Sequence, residues 1–149
     1  MRVEDTPPHV SSFIKSLRDI GYTFEIAVAD VLDNSITANA ENIKIYSAVN
    51  PDLVLCILDD GIGMDDDSLR EAMRLSTKDP DTQRDGKDLG RFGLGLKTAS
   101  FSQCRLLTVI SKTSTSQISA KQWDIDQVIE LNQWALNSLR ESLWHLLVF

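Results

Sequence analysis

The 149-residue sequence predicts a two-layer α+β domain, with helices packed on one face of a mainly antiparallel sheet. Three observations carry the prediction. Apolar stripes recur at helical spacing, and two pairs of strand-like runs are each joined by a short polar connection. The composition, 42% hydrophobic and 25% charged, is that of a globular chain long enough for one real core. Strands joined so closely must pair antiparallel, because a parallel crossover needs roughly a dozen residues or more.

Taken in order, Pro7-Pro8 bar a helix from running through them. Over 9–20, Val10, Phe13, Ile14, Leu17 and Ile20 fall on one helical stripe, which Gly21 ends. Thr23 is the N-cap expected of a second helix over 24–40. There Ala27, Val28, Val31, Leu32, Ser35 and Ile36 make a broad, mostly apolar arc. Asp30, Asp33, Asn34 and Thr37, at i, i+3, i+4 and i+7, crowd the other face. No Lys or Arg shares that face, so its two carboxylates repel without a local partner. A solvated surface is one reading of it; a seat for a hydrated cation and an oriented water is the other.

Asn42–Ser47 alternates with period two, as a half-buried strand does, and Asn50-Pro51-Asp52 is a turn. Leu53–Leu58 is a continuous apolar run, suited to a central strand covered on both faces. It delivers Asp59-Asp60-Gly61-Ile62-Gly63-Met64, after which Asp65 caps a helix with Leu69, Ala72, Met73 and Leu75 on its inner side. Residues 76–90 are polar and charged, a loop length that in a compact domain is functional or disordered. Gly90, Gly93 and Gly95 then form a turn that runs into a helix. Two more strands follow at 105–111 and 117–123, joined by a Ser/Thr-rich hairpin loop. The tail reads as a helix over 124–147, through Ile125, Val128, Ile129, Trp134, Leu136, Leu139 and Leu143.

A net charge of −7 makes the chain a poor stand-alone binder of nucleic acid or acidic membranes. Cys56 and Cys104 lack CxxC spacing and read as reduced, packed thiols. His9 and His145 have no metal-ligand spacing around them. With no signal-peptide pattern at Met1 and no membrane-length apolar run, a single cytoplasmic domain over 1–149 is expected.

Three weak motifs stand in sequence. Asp59-Asp60-Gly61-Ile62-Gly63 alone is an ordinary strand-to-helix turn as readily as a site. The glycines at 90, 93 and 95 alone are a tight turn, or bare backbone N–H groups that hold an anion with Lys97 beside them. They form no P-loop, because the Gly-Lys-Ser/Thr ending is missing. Order and spacing are more specific than any one box. An Asp-x-x-Asp-Asn helix, then Asp-x-Gly-x-Gly-Met, a polar loop, and Gly-x-x-Gly-x-Gly-Leu-Lys together resemble the ATP-binding domain of the GHKL superfamily. That superfamily takes in gyrase B, the ninety-kilodalton heat-shock chaperone, histidine kinases, MutL and MORC proteins. The resemblance spans roughly Phe13 to Trp123. Asp-Gly-Ile-Gly-Met, Phe-Gly-x-Gly and Leu-Thr-Val-Ile-Ser-Lys point to its chaperone/MORC side.

The resemblance implies a Bergerat ATP-binding fold with ATP and Mg2+ as cofactors. Asn34 would ligate magnesium and bridge to the phosphates, which suits a cation that keeps its waters and takes few protein ligands. Asp33 would assist beside it. Asp30 stands at the position of the general base that orients the attacking water. Asp59 would accept the adenine amino group, Gly61 and Gly63 would let the backbone approach, and Met64 would pack on the adenine plane. Residues 76–90, with Lys78, would be the ATP lid, and Gly93, Leu94, Gly95, Lys97 and Thr98 would hold the phosphates.

Two departures matter. Hydrolytic relatives place Glu at the base position, and Asp is shorter by one C–C bond, ~1.5 Å. A misplacement of about 1 Å costs on the order of a hundredfold in rate, so slow hydrolysis is expected. In addition, no Gly-Thr-x-hydrophobic strand follows Trp123, and there is no second domain to supply a Lys or Arg to the γ-phosphate. Either the fold is incomplete at its C-terminus or a partner, a second copy or another domain, supplies these parts; the apolar segment 143–149 is then an interface or the end of a core helix. Three functions stay open at this level: a magnesium-dependent ATPase whose nucleotide closes the lid and drives dimerisation, a non-hydrolysing ATP-binding module, and a histidine-kinase catalytic domain. The last fits least, since no helical hairpin with a phosphoacceptor histidine precedes the boxes.

Overall fold

The computed structural model describes residues 4, 9–19, 21–50, 52–75 and 95–140. Its first helices are α1 (Val10–Arg18) and α2 (Phe24–Thr37). A hairpin of β1 (Ile43–Ala48) and β2 (Val54–Asp59) follows, then α3 (Asp66–Met73) and α4 (Gly95–Gln103). The chain continues through β3 (Leu106–Ser111), β4 (Ser119–Asp124), α5 (Ile125–Leu131) and β5 (Asn137–Ser138). The α+β class is as expected, and both hairpins are antiparallel: Ile45 faces Ile57 across β1–β2, and Val109 faces Lys121 across β3–β4.

Caps set the helix starts. The Thr23 hydroxyl accepts from the Ile26 amide at 3.4 Å, and the Asp65 carboxylate accepts from the Ser68 amide at 2.8 Å. The core gathers where α1, α3, α4 and α5 cover the β3–β4–β5 sheet. Val10, Ile14 and Leu17 meet Leu69, Met73, Phe101, Trp123, Ile125 and Val128. Each such side chain contributes roughly 1.5–3 kcal/mol by leaving water. Trp123 is the hub: it meets Phe101 edge-on at 6.2 Å and donates its indole N–H to the Met73 carbonyl at 2.9 Å. Arg18 of α1 donates to the Phe101 and Cys104 carbonyls at 2.6 and 2.7 Å, which satisfies the C-terminal end of α4 with a cation.

Four sequence expectations need correction. The helix expected over 24–40 stops at Thr37, because Asn39 is left-handed at φ 57. Asn39 and Ala40 donate back to the Ile36 and Ser35 carbonyls, a Schellman ending. The tail expected as a helix over 124–147 ends at Leu131 for the same reason. Asn132 is left-handed at φ 50, and Asn132 and Gln133 donate to the Ile129 and Val128 carbonyls. The chain then turns back as β5 against β4, so Trp134 and Leu136 pack from an irregular segment instead of a helical stripe.

The other two corrections concern the first hairpin. Among the described residues β2 is not a central strand, since β1 is its one hydrogen-bonded neighbour. Leu55 and Leu58, on opposite faces, remain 39% and 55% exposed. β1 likewise has no buried face, with Ile45 and Tyr46 both about half exposed. A continuous apolar run states that both faces are apolar, not what covers them. The segment 76–90 with Lys78, the residues Gly93 and Leu94, and the stretch 143–149 with His145 lie outside the described residues.

Candidate functional site

The loop after β2 is held from two sides. On the helix side, the Asp59 carboxylate accepts from the Ser35 hydroxyl of α2 at 2.9 Å with one oxygen and from the Gly61 amide at 3.0 Å with the other. The Ile62 amide donates to the Ala38 carbonyl at 2.9 Å. Gly61 lies so close to the end of α2 that a Cβ there would come within 2.7 Å of the Ala38 Cβ. On the sheet side, the Met64 amide donates to the Ser111 hydroxyl at the end of β3, at 2.8 Å. Gly63 has φ 68 and lies against the Lys112 carbonyl, where a side chain cannot fit. Asp60 points elsewhere. It accepts from the Asn42 side chain and from the Asn42 and Glu41 amides, each at 2.8 Å, which holds its carboxyl below the usual carboxylate range.

On the polar face of α2, Asp33 and Asn34 are exposed and Asp30 is half-buried. The Asn34 amide nitrogen donates back to the Asp30 carbonyl at 2.8 Å, a bond that fixes the side chain and directs its oxygen away from the helix. That oxygen is the hard donor a magnesium ion takes. Among the described residues no group of three or more His, Cys, Asp or Glu side chains could hold a metal ion. Tyr22 lies in the field of Asp30: burial first, and then the nearby carboxylate, raise the Tyr22 pKa.

α4 packs beside α2, the helix that bears the acid-and-amide face. Within α4 the two expected phosphate contacts point inward. Lys97 is 2% exposed, and its ammonium donates to the Ala72 and Arg74 carbonyls at 3.0 and 2.6 Å, at the negative end of α3. Thr98 is also buried. A cavity of about 520 Å³ opens elsewhere, between α1, α3, β4 and the segment after α5, with Phe13, Leu75, Trp123 and Trp134 among its walls. No predicted site residue within the described set lines it, and its cations are already paired. Arg70 meets Asp67, Arg74 meets Glu71, and Lys121 meets Asp66 at 2.6 Å. The candidate site is therefore the joined α2 and 59–64 loop, apart from this cavity.

Sequence reasoning missed Ser35, Tyr22 and Ser111. Ser35 carried a faint signal, being the one hydroxyl on an otherwise apolar arc, and it is 4% exposed. Tyr22 and Ser111 carried none, because their partners are distant in the chain or set by tertiary packing. Among the described residues no helix is long and apolar enough to cross a membrane.

Residues 22–148 match the sequence profile of the family described as histidine kinase-, DNA gyrase B-, and HSP90-like ATPase. The chain is 31% identical over 136 residues to MORC family CW-type zinc finger protein 1 of Mus musculus, a match that takes in 78% of this chain and 13% of that protein. It is 35% identical over 78 residues to ATPase MORC2B of Mus musculus and to ATPase MORC2 of Homo sapiens, each match covering 50% of this chain and 8% of the relative. The chain thus corresponds to a small part of the length of the curated relatives it matches. With the acid-and-amide helix, the aspartate–glycine loop and the α4 helix brought together as above, the chain belongs to the histidine kinase-, DNA gyrase B- and HSP90-like ATPase family, as an ATP-binding domain of the MORC type.

Proposed function

We propose that this domain binds ATP with magnesium and hydrolyses it slowly to ADP and phosphate. One observation carries the reading: the Ser35–Asp59 bond joins the helix that bears Asp30, Asp33 and Asn34 to the loop that bears Asp59 to Met64. Asp59 accepts one bond on each oxygen from fixed donors, so the carboxylate is oriented, with lone pairs left for an exocyclic amino group. Gly61 and Gly63 keep the loop surface bare, and Met64 offers a thioether face to a base. The Asn34 oxygen would ligate magnesium, which when bound neutralises phosphate charge, with Asp33 as a hydrogen-bonding neighbour. Asp30 would take the proton of the attacking water. The backbone at Gly93, Leu94 and Gly95 is assigned to the phosphates, and Lys97 and Thr98 support it from within. Family resemblance extends the proposal to closure of 76–90, with Lys78, over the nucleotide and to pairing with a second copy or a domain that lends a Lys or Arg.

A second reading, ATP binding without hydrolysis, is favoured by the Asp30 carboxylate, which is one C–C bond shorter than the glutamate of hydrolytic relatives. Phosphate release measured beside nucleotide affinity separates the two. The primary test is calorimetric titration of ATP into the wild type and Asn34→Ala, with and without magnesium. The wild type should bind at least tenfold more tightly with magnesium, and Asn34→Ala should lose that gain while keeping the magnesium-free affinity. Equal magnesium dependence in both proteins would refute the assignment of Asn34.

A further inference from the structure

We infer that Ser111, at the C-terminal end of β3, is a positioning residue for the base end of the nucleotide site, setting affinity through Met64 without touching the nucleotide. The inference rests on the ATP-binding reading above. Its geometry is independent of it. Sheets β1–β2 and β3–β4–β5 share no ladder hydrogen bonds among the described residues. The loop between β2 and α3 crosses from one sheet to the other, and at its far end it is tied down by the Met64 amide to Ser111 bond at 2.8 Å. Gly63 lies against the next carbonyl, that of Lys112, so the loop is seated on the strand end as well as bonded to it. Its near end is fixed to α2 through Ser35 and Ala38. β3 follows α4 after two residues, so Ser111 belongs to the unit that begins at the glycine-rich turn. One hydroxyl therefore couples the loop expected to hold the base to the element expected to hold the phosphates.

The side chain is not needed for the strand. Ser111 faces Ser119 across the β3–β4 ladder, whose bonds are made by the backbone, and the residue is only half-buried. Removing the hydroxyl leaves the Met64 amide without its acceptor and frees the residue assigned to the base plane.

The test uses the full chain as wild type, Ser111→Ala, Ser111→Thr and Ser111→Val, with ATP and ADP affinities from calorimetry and Met64 amide exchange in nucleotide-free protein. Ser111→Ala should weaken ATP and ADP by the same factor, on the order of tenfold, since the base is common to both. Ser111→Thr keeps the hydroxyl and should bind within about twofold of wild type. Ser111→Val, its isostere without the hydroxyl, should behave as the alanine variant and decides the matter if alanine impairs folding. Met64 exchange should quicken in the Ala and Val variants alone. Wild-type affinity in Ser111→Val, or a loss confined to ATP, would overturn the inference and leave the ATP reading standing. Absence of ATP binding by the wild type would overturn both.

Discussion

Gly63→Ala is the sharpest perturbation the structure offers, because two costs coincide there. Gly63 has φ 68, and its missing Cβ would fall inside the Lys112 carbonyl oxygen. The left-handed backbone alone costs an alanine roughly 1 kcal/mol. The clash is with backbone, so no rotamer change relieves it, and the loop must withdraw from β3 by roughly 1 Å or more. That withdrawal stretches the 2.8 Å Met64–Ser111 bond beyond use and leaves the amide unsatisfied, at about another 1–3 kcal/mol. The sum, on the order of 2–4 kcal/mol, is a large share of a domain's total of roughly 5–15 kcal/mol. For a chain of this size it lowers the melting midpoint by on the order of 5–12 °C. Gly21→Ala is the internal control: Gly21 has φ 83 and nothing within 4 Å of its Cβ position, so only the backbone cost applies. Thermal unfolding followed by circular dichroism should rank wild type above Gly21→Ala above Gly63→Ala, and ATP affinity should fall only in the last. Equal melting midpoints for the two variants would mean that Gly63 is not seated on the Lys112 carbonyl.

Asp30→Glu restores the longer side chain of hydrolytic relatives and should raise single-turnover phosphate release, by up to about a hundredfold, with ATP affinity little changed; an equal or lower rate would remove Asp30 from the base position. Asp60 has its carboxyl pKa lowered by the Asn42 side chain and the Asn42 and Glu41 amides. A folded value below the unfolded ~3.9 contributes stability that is full above about pH 4 and is lost as pH falls through the lowered value. Asp60→Asn should therefore lower the urea midpoint at pH 6, and the gap to wild type should narrow steadily as pH falls below the carboxylate range, whereas a pH-independent gap would contradict the assigned bonds.

Much of the local structure was legible because it depends on neighbours in sequence. Thr23 and Asp65 announce their helices by a side-chain oxygen three residues before the amide it caps. The short 50–52 turn compels antiparallel pairing of β1 and β2, and the order of three boxes is read directly from the chain. Asn39 and Asn132 were legible in principle, since asparagine is the commonest non-glycine residue in a left-handed helix ending, yet the apolar spacing beyond each hid the stop.

The sequence by itself determined which residue types and spacings were available: an acid-and-amide helix face, an aspartate followed by two glycines, and a helix launched from a glycine turn. Only the tertiary structure decided which way they face. Lys97 reads as a phosphate ligand beside those glycines, whereas in the fold its ammonium also reaches the Ala72 and Arg74 carbonyls near the end of α3. Ser35 reads as one more small residue on an apolar arc, until the arrival of Asp59 gives its hydroxyl a partner. Periodicity assigns a residue to a face, whereas the approach of a distant segment assigns that face a contact, and the energy of the contact belongs to both segments at once.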